Sequence, residues 1–223
     1  EAYGRLTGNP AGCLSTLGPG PTNLITGVAD ANMDRAPMIV LTGQGSTDRL
    51  HKESHQIMDT VSMFKPVTKW ATSIYNPDTI PEIVRKAVRI SRSEKPGAVL
   101  IELPEDIARE TTSSEPITPR RYRRSVPDEE VIEEASRLIT QSEQPLIIAG
   151  NGCIRKRASA ELRRLCDLSK IGVVSSFMAK GCVDMDAEYC LFTIGLGARD
   201  RIAEVIESAD LIITLGLDMV EYP

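Results

Sequence analysis

Short aliphatic runs alternate with stretches of helical period along the chain, and that alternation predicts an α/β fold whose parallel strands are buried on both faces. The runs Cys13–Leu17, Met38–Thr42, Val67–Ile74, Ala98–Leu103, Leu146–Ala149, Val173–Ser175 and Leu211–Leu215 are the expected strands. Between them Ile80, Ile83, Val84, Ala87 and Val88 recur at the spacing of one helix face, opened by Asp78 or Thr79 with Pro81 in the first turn. Val131, Ile132, Ala135, Leu138 and Ile139 repeat that spacing, and Ala158, Leu162, Leu165, Cys166 and Ile202, Val205, Ile206 do so more loosely.

The pattern lapses between Leu103 and Asp128, where Pro104, Pro116, Pro119 and Pro127 surround Thr111, Thr112, Ser113 and Ser114. This divides the chain into two consecutive parallel-sheet α/β domains, 1–108 and 128–223, joined by a linker at 109–127. The linker's Arg120, Arg121, Arg123 and Arg124 are expected to be a solvated run.

Composition narrows the function classes. The 223 residues are 41% hydrophobic and carry a net charge of −5, which gives no bulk attraction to nucleic acid or acidic membranes. Apolar runs such as Met38–Leu41 and Leu146–Ala149 fall far short of the ~20 residues of a membrane span. Five cysteines, Cys13, Cys153, Cys166, Cys182 and Cys190, form no CxxC pair and have only two histidines beside them. Neither a disulfide framework nor a zinc site is expected, and a reducing, cytoplasmic setting is. The chain starts on Glu1 in a helix-like stretch and stops at Pro223, and it reads as an excerpt of a longer protein.

The densest chemical signal is Leu17-Gly18-Pro19-Gly20-Pro21-Thr22-Asn23, a glycine and proline turn between a strand and a helix beginning near Thr22. Gly18 and Gly20 let a planar ligand or a phosphate approach the main chain, and free amides at a helix start favour an acceptor or an anion. A tight turn capped by Thr22 accounts for the same residues. Taken with Glu1–Gly8, Gly27–Ala31, Pro37–Gln44, His55-Gln56, Phe64–Lys69, Lys95-Pro96-Gly97 and Ile101–Asp106, however, the turn resembles the pyrimidine-binding domain of thiamine-diphosphate enzymes of the acetolactate synthase group. Pro145–Cys153, Phe177–Gly181 and Gly216–Tyr222 extend the resemblance through that group's central domain.

The resemblance implies decarboxylation of pyruvate and transfer of its hydroxyethyl unit to a second 2-oxo acid, in a homodimer or homotetramer. Thiamine diphosphate is the implied cofactor, with Mg²⁺ held by a C-terminal domain beyond this chain. The glutamate that protonates the aminopyrimidine is expected upstream of Glu1, which is not its counterpart, so the 223 residues alone are expected to be inactive. Gly18, Gly20 and Asn23 correspond to the pyrimidine pocket. Gln56 corresponds to a glutamine near the reacting carbon, where an uncharged donor steadies a developing oxyanion; its bland reading is a surface helix residue. Lys69 and Lys65 either meet a substrate carboxylate or sit at the strand mouth. His55 stands where the biosynthetic synthases carry an aromatic residue, which is similar to the catabolic, flavin-free branch; it is a hydrogen-bonding residue or an acid–base.

In the second domain Gly150-Asn151-Gly152-Cys153 follows a strand and opens the helix of Arg155 to Leu168. A dinucleotide pyrophosphate would sit there in a Rossmann reading, but Arg155 stands where G-x-G-x-x-G wants its third glycine. Gly195–Asp200 and Val220-Glu221-Tyr222 resemble the catabolic branch, whose central domain is empty, and that resemblance implies no bound FAD. The alternatives are another thiamine-diphosphate enzyme (a pyruvate oxidase, a 2-oxo acid or oxalyl-CoA decarboxylase, a lyase), a nucleotide-binding module using Gly150–Cys153, or an inert scaffold.

Overall fold

A computed structural model describes residues 1–118, 125–195 and 201–221. The arginine run at 120–124, residues 196–200 and Tyr222 lie outside the described residues. The chain divides into two compact units, 1–121 and 122–223.

In the first unit the order is α1 (Ala2–Thr7), β1 (Ala11–Ser15), α2 (Pro19–Met33), β2 (Met38–Gln44), α3 (Thr60–Phe64), β3 (Trp70–Ser73), α4 (Ile80–Arg92) and β4 (Ala98–Pro104). The strands are all parallel, in the order β1-β2-β4-β3, with Ser15, Thr42, Glu102 and Ser73 level across the sheet near its C-terminal edge. Side chains of the central strands alternate between two cores. Met38, Val40, Ala98 and Leu100 meet Val28, Ala31 and Phe64 on one face, while Val99 and Ile101 meet Ile74, Ala87 and Ile107 on the other.

In the second unit the order is α5 (Glu129–Gln141), β5 (Pro145–Ala149), α6 (Asn151–Arg155), α7 (Ser159–Ser169), β6 (Gly172–Ser175), β7 (Cys190–Thr193), α8 (Arg201–Ser208) and β8 (Leu211–Leu215). Its parallel sheet runs β7-β6-β5-β8. The chain winds outward from β5 and then returns to its other side, so the topological switch lies between β5 and β8, where open α/β sheets place ligands. Ile147, Ala149 and Val173 pack with Cys153, Leu162 and Cys166; Leu146, Ile148 and Val174 face α8.

Two parallel-sheet α/β domains are thus the architecture. Local differences from the sequence reading have physical causes. The run expected as a strand from Val67 starts only at Trp70, because Lys65–Val67, with Pro66 inside it, forms a 3-10 turn. The helix expected over Arg155–Leu168 is two helices, broken where Arg157 takes a left-handed φ of 57°. Strand β7, on the sheet edge and with an irregular register against β6, was not anticipated. On α5, Val131, Ile132 and Leu138 stay exposed, and Ile139 packs on the core.

Candidate functional site

The first unit brings Gly18, Gly20, Asn23, His55 and Gln56 to the segments that follow β1 and β2 at the C-terminal edge of the sheet. Helix α2 begins at Pro19, three residues before Thr22, and Gly18 is its N-cap at φ 63°, ψ −118°. Thr22 is not a cap. It sits inside the first turn, and its hydroxyl donates back to the Pro19 carbonyl at 2.7 Å. Pro19 and Pro21 have no amide hydrogen, and the Gly20 amide is directed at the Leu17 carbonyl at 3.4 Å. The free amides expected of this turn are therefore largely missing, which makes it a neutral backbone surface and not an anion cradle.

Both glycines permit close approach, and in this structure the approach is by the chain itself. A Cβ on Gly18 would lie 2.6 Å from the Gln56 Cβ and 2.9 Å from the Gln56 carbonyl oxygen. One on Gly20 would run into Ser15 Oγ and lie 2.9 Å from Thr16 Cγ2. Gly18 and Gln56 are thus in contact across 38 residues of sequence. Gln56 belongs to an exposed turn and not to a helix, with a left-handed φ of 60° that a non-glycine residue adopts at a cost of about 1–2 kcal/mol. His55 is exposed beside it, and Asn23 is exposed on the first turns of α2.

Lys69 is not brought to this group. It precedes β3 at the opposite edge of the sheet, where its ammonium donates to the last carbonyls of α4 and beyond, Ile90 at 2.6 Å and Ser93 at 2.8 Å. Burial pulls its pKa below the usual lysine value, and its stem lies against Gly97. Lys65 lies in the 3-10 turn after α3.

Sequence reasoning assigned no role to the polar group beneath the Gln56 turn. Glu102 is 5% exposed in a strand otherwise apolar up to Leu103, and it accepts from Gln44 Nε2 at 3.0 Å. Burial pushes its carboxyl above the usual range, opposed by Ser73, Gln44 and Thr60. The hydroxyls of Ser73 and Thr60 face it without forming well-made hydrogen bonds. A lone glutamate in a doubly buried strand was the available signal. Elsewhere Glu1, Asp30 and Asp34 gather their carboxylates at the far end of α2, and Arg5 bridges Glu1 at 3.2 Å and Asp34 at 2.8 Å.

In the second unit the glycine turn is filled from within. The Gly150 amide donates to Leu215 O at 2.8 Å, Gly152 to Gly216 O at 2.8 Å, and Asn151 to both carboxylate oxygens of Glu221 at 3.0 and 2.9 Å. Glu221, 1% exposed, also accepts from the Asp218 amide at 3.0 Å and from the Ser176 hydroxyl. A Cβ on Gly150 would run into Leu217 Cα, and one on Gly152 would lie 2.6 Å from Gly216 Cα, so these glycines admit the loop after β8. The residues do not fit a dinucleotide pyrophosphate at this turn, which removes the basis of the nucleotide-module alternative.

These are two α/β units, the first with a neutral glycine turn at its sheet edge against which Gln56 packs and the second with the glycine turn after β5 met by its own carboxylate. Residues 1–63 match the thiamine pyrophosphate enzyme N-terminal TPP binding domain, and residues 132–222 match the thiamine pyrophosphate enzyme central domain. The chain belongs to the thiamine pyrophosphate enzymes. It is 36% identical over 223 residues to a probable acetolactate synthase large subunit of Methanocaldococcus jannaschii, covering 97% of this chain and 38% of the relative. It is 33% identical to the chloroplastic acetolactate synthase 2 of Nicotiana tabacum (97% and 33% covered). A glyoxylate carboligase of Escherichia coli is 32% identical over 220 residues (97% and 37%). The chain thus spans little more than a third of the length of these relatives. No helix among the described residues is long and apolar enough to cross a membrane.

Proposed function

We propose that the chain forms the pyrimidine-binding and central domains of a thiamine-diphosphate-dependent carboligase of acetolactate synthase type, with 1–108 and 128–223 as domains and 109–127 as linker. The observation that carries this reading is the seating of Gln56 on Gly18 at the sheet edge. The turn is neutral backbone with few free amides, which suits the aminopyrimidine ring better than a phosphate and leaves the diphosphate and Mg²⁺ to residues outside this chain. Bound there, the cofactor supplies the nucleophilic carbon that adds to a 2-oxo acid.

Gly18 and Asn23 border the ring, with Gly20 behind them holding α2 against the end of β1. Gln56 directs its amide to the oxygen of the 2-oxo acid where negative charge develops, and a left-handed glutamine is a strain retained for the side chain it presents. His55 adds a hydrogen-bonding group at the rim. Lys69, engaged with α4, takes no part. The filled turn at Gly150 supports a flavin-free central domain, and the intact enzyme acts as a homodimer or larger assembly.

The test is Gln56→Ala in the full-length protein. A transition-state donor predicts a fall in kcat of roughly 10²-fold with the dissociation constant of thiamine diphosphate nearly unchanged; an unchanged kcat would sink the role. Pyruvate and glyoxylate assayed side by side separate the acetolactate reaction from the carboligation named for the Escherichia coli relative, and the acetolactate reading requires pyruvate to be the better substrate.

A further inference from the structure

The segment from Gly45 to Asp59 carries His55 and Gln56, yet apart from the 3-10 turn Thr47–Arg49 it has no regular structure, and most of it is exposed. A catalytic side chain on such a segment needs anchors to hold it within the small tolerance of a productive geometry. Its first half is held by Asp106, which accepts from the Thr47 amide at 3.0 Å and from the Thr47 hydroxyl, and by Arg49 pairing with Glu105 at 3.1 Å. Near Gln56 the anchors are of another kind. Ile57 lies over Gly45, where a Cβ would come within 2.9 Å of Ile57 Cδ1. The Met58 carbonyl, two residues past Gln56, accepts from Gln44 Nε2 at 2.7 Å.

The Gln44 amide is fully committed. Its oxygen accepts from the Gly45 amide at 2.9 Å, and its nitrogen donates to both Met58 O and Glu102 Oε2. An amide can face either way, and Glu102, as the acceptor on the neighbouring strand, selects the orientation that turns the NH₂ toward Met58. An apolar side chain would fill position 102 without the desolvation cost of a carboxyl. What the carboxyl adds is that orientation.

We propose that Gln44 and Glu102 are a buried positioning pair, which fixes the turn bearing His55 and Gln56 over Gly18. This deepens the carboligase reading and rests on it only for the kinetic part of the test.

Hydrogen exchange on the 223-residue chain tests the pair without any assay of activity. Gln44→Leu is expected to speed exchange of the amides from Ser54 to Asp59 by about tenfold or more, leaving those of β2 and β4 protected. Glu102→Gln, which still offers an acceptor oxygen, leaves exchange near that of the parent, while Glu102→Leu raises it. The swap Gln44→Glu with Glu102→Gln restores the pairing between strands but gives Met58 no donor; it is expected to keep the sheet and loosen the turn, and it serves if Gln44→Leu does not fold. In the full-length enzyme Gln44→Leu lowers kcat by about tenfold with KM little changed, and adds nothing further in a Gln56→Ala background. Unchanged exchange at 54–59 in both Gln44 variants, or a kcat loss that adds fully to that of Gln56→Ala, overturns the pair. A wild-type enzyme with no carboligation overturns the function while the exchange result still stands or falls by itself.

Discussion

At the scale of single residues, two glycines two positions apart carry different constraints. Gly18 combines a φ and ψ that L side chains rarely adopt with a backbone neighbour, the Gln56 carbonyl, that cannot turn away. Gly20 has ordinary helical backbone, and its neighbours Ser15 Oγ and Thr16 Cγ2 are side-chain atoms able to rotate. Gly18→Ala is therefore expected to cost roughly 1–3 kcal/mol and to displace Gln56, with Gly20→Ala costing clearly less; thermal unfolding of the two variants side by side checks the order. The cysteines give a pH prediction. Burial pushes Cys153 and Cys166 up to about 11 from an ordinary 9.0. The folded state keeps a proton that the unfolded chain releases, so the thiols' contribution to stability is level below pH 9, falls between 9 and 11, and is lower by about 3 kcal/mol per thiol above that range. Denaturant unfolding from pH 8 to 10.5 should show the decline, and Cys166→Ala should make it shallower than in the parent, with Cys153 still contributing. A midpoint that does not move over that range would rule it out.

At the scale of elements, the strands were legible because a buried parallel strand is a run of β-branched and aliphatic residues. Leu211–Leu215 matches the sequence reading to the residue, and Met38, Ala98 and Ala149 are strand ends in both. Strand β7 escaped because an edge strand with an irregular register has no such run, and residues from Lys180 to Glu188 before it show no strand pattern. The candidate site was half legible. Motif order pointed to Gly18 and Gln56 separately, but their contact depends on a left-handed turn that period and propensity do not encode. Glu221 shows the same limit, since nothing local says that a glutamate following β8 caps a helix opening 70 residues earlier. Glu221→Ala removes the carboxylate to which the Asn151 and Asp218 amides donate and is expected to cost on the order of 3 kcal/mol in urea unfolding, with Glu221→Gln costing less. Because the Gly150 and Gly152 amides remain on Leu215 and Gly216, an ADP titration of either variant should detect no binding; saturable binding would mean that the carboxylate alone had closed the turn.

At the scale of the whole molecule, charge decides what these residues can hold. Thiamine diphosphate presents a neutral ring at one end and a multiply charged diphosphate at the other, and the proposed role of the Gly18 turn is toward the ring end alone. The two prolines of α2 remove amides that could have met phosphate, Lys69 is bound to α4, and the chain's net charge is −5. Of the acidic trio Glu1, Asp30 and Asp34 at the other end of α2, Glu1 and Asp34 are bridged by Arg5. A ring contact of this kind, without the diphosphate anchor, falls well short of the roughly 8 kcal/mol that a micromolar dissociation constant represents. Calorimetry of the 223-residue chain with thiamine diphosphate and Mg²⁺ is therefore expected to show no binding tighter than about 100 µM and no turnover of pyruvate, whereas the full-length protein binds at least tenfold tighter. Micromolar binding by these residues alone would mean that a diphosphate site lies within them, and the assignment of that role to another domain would fall.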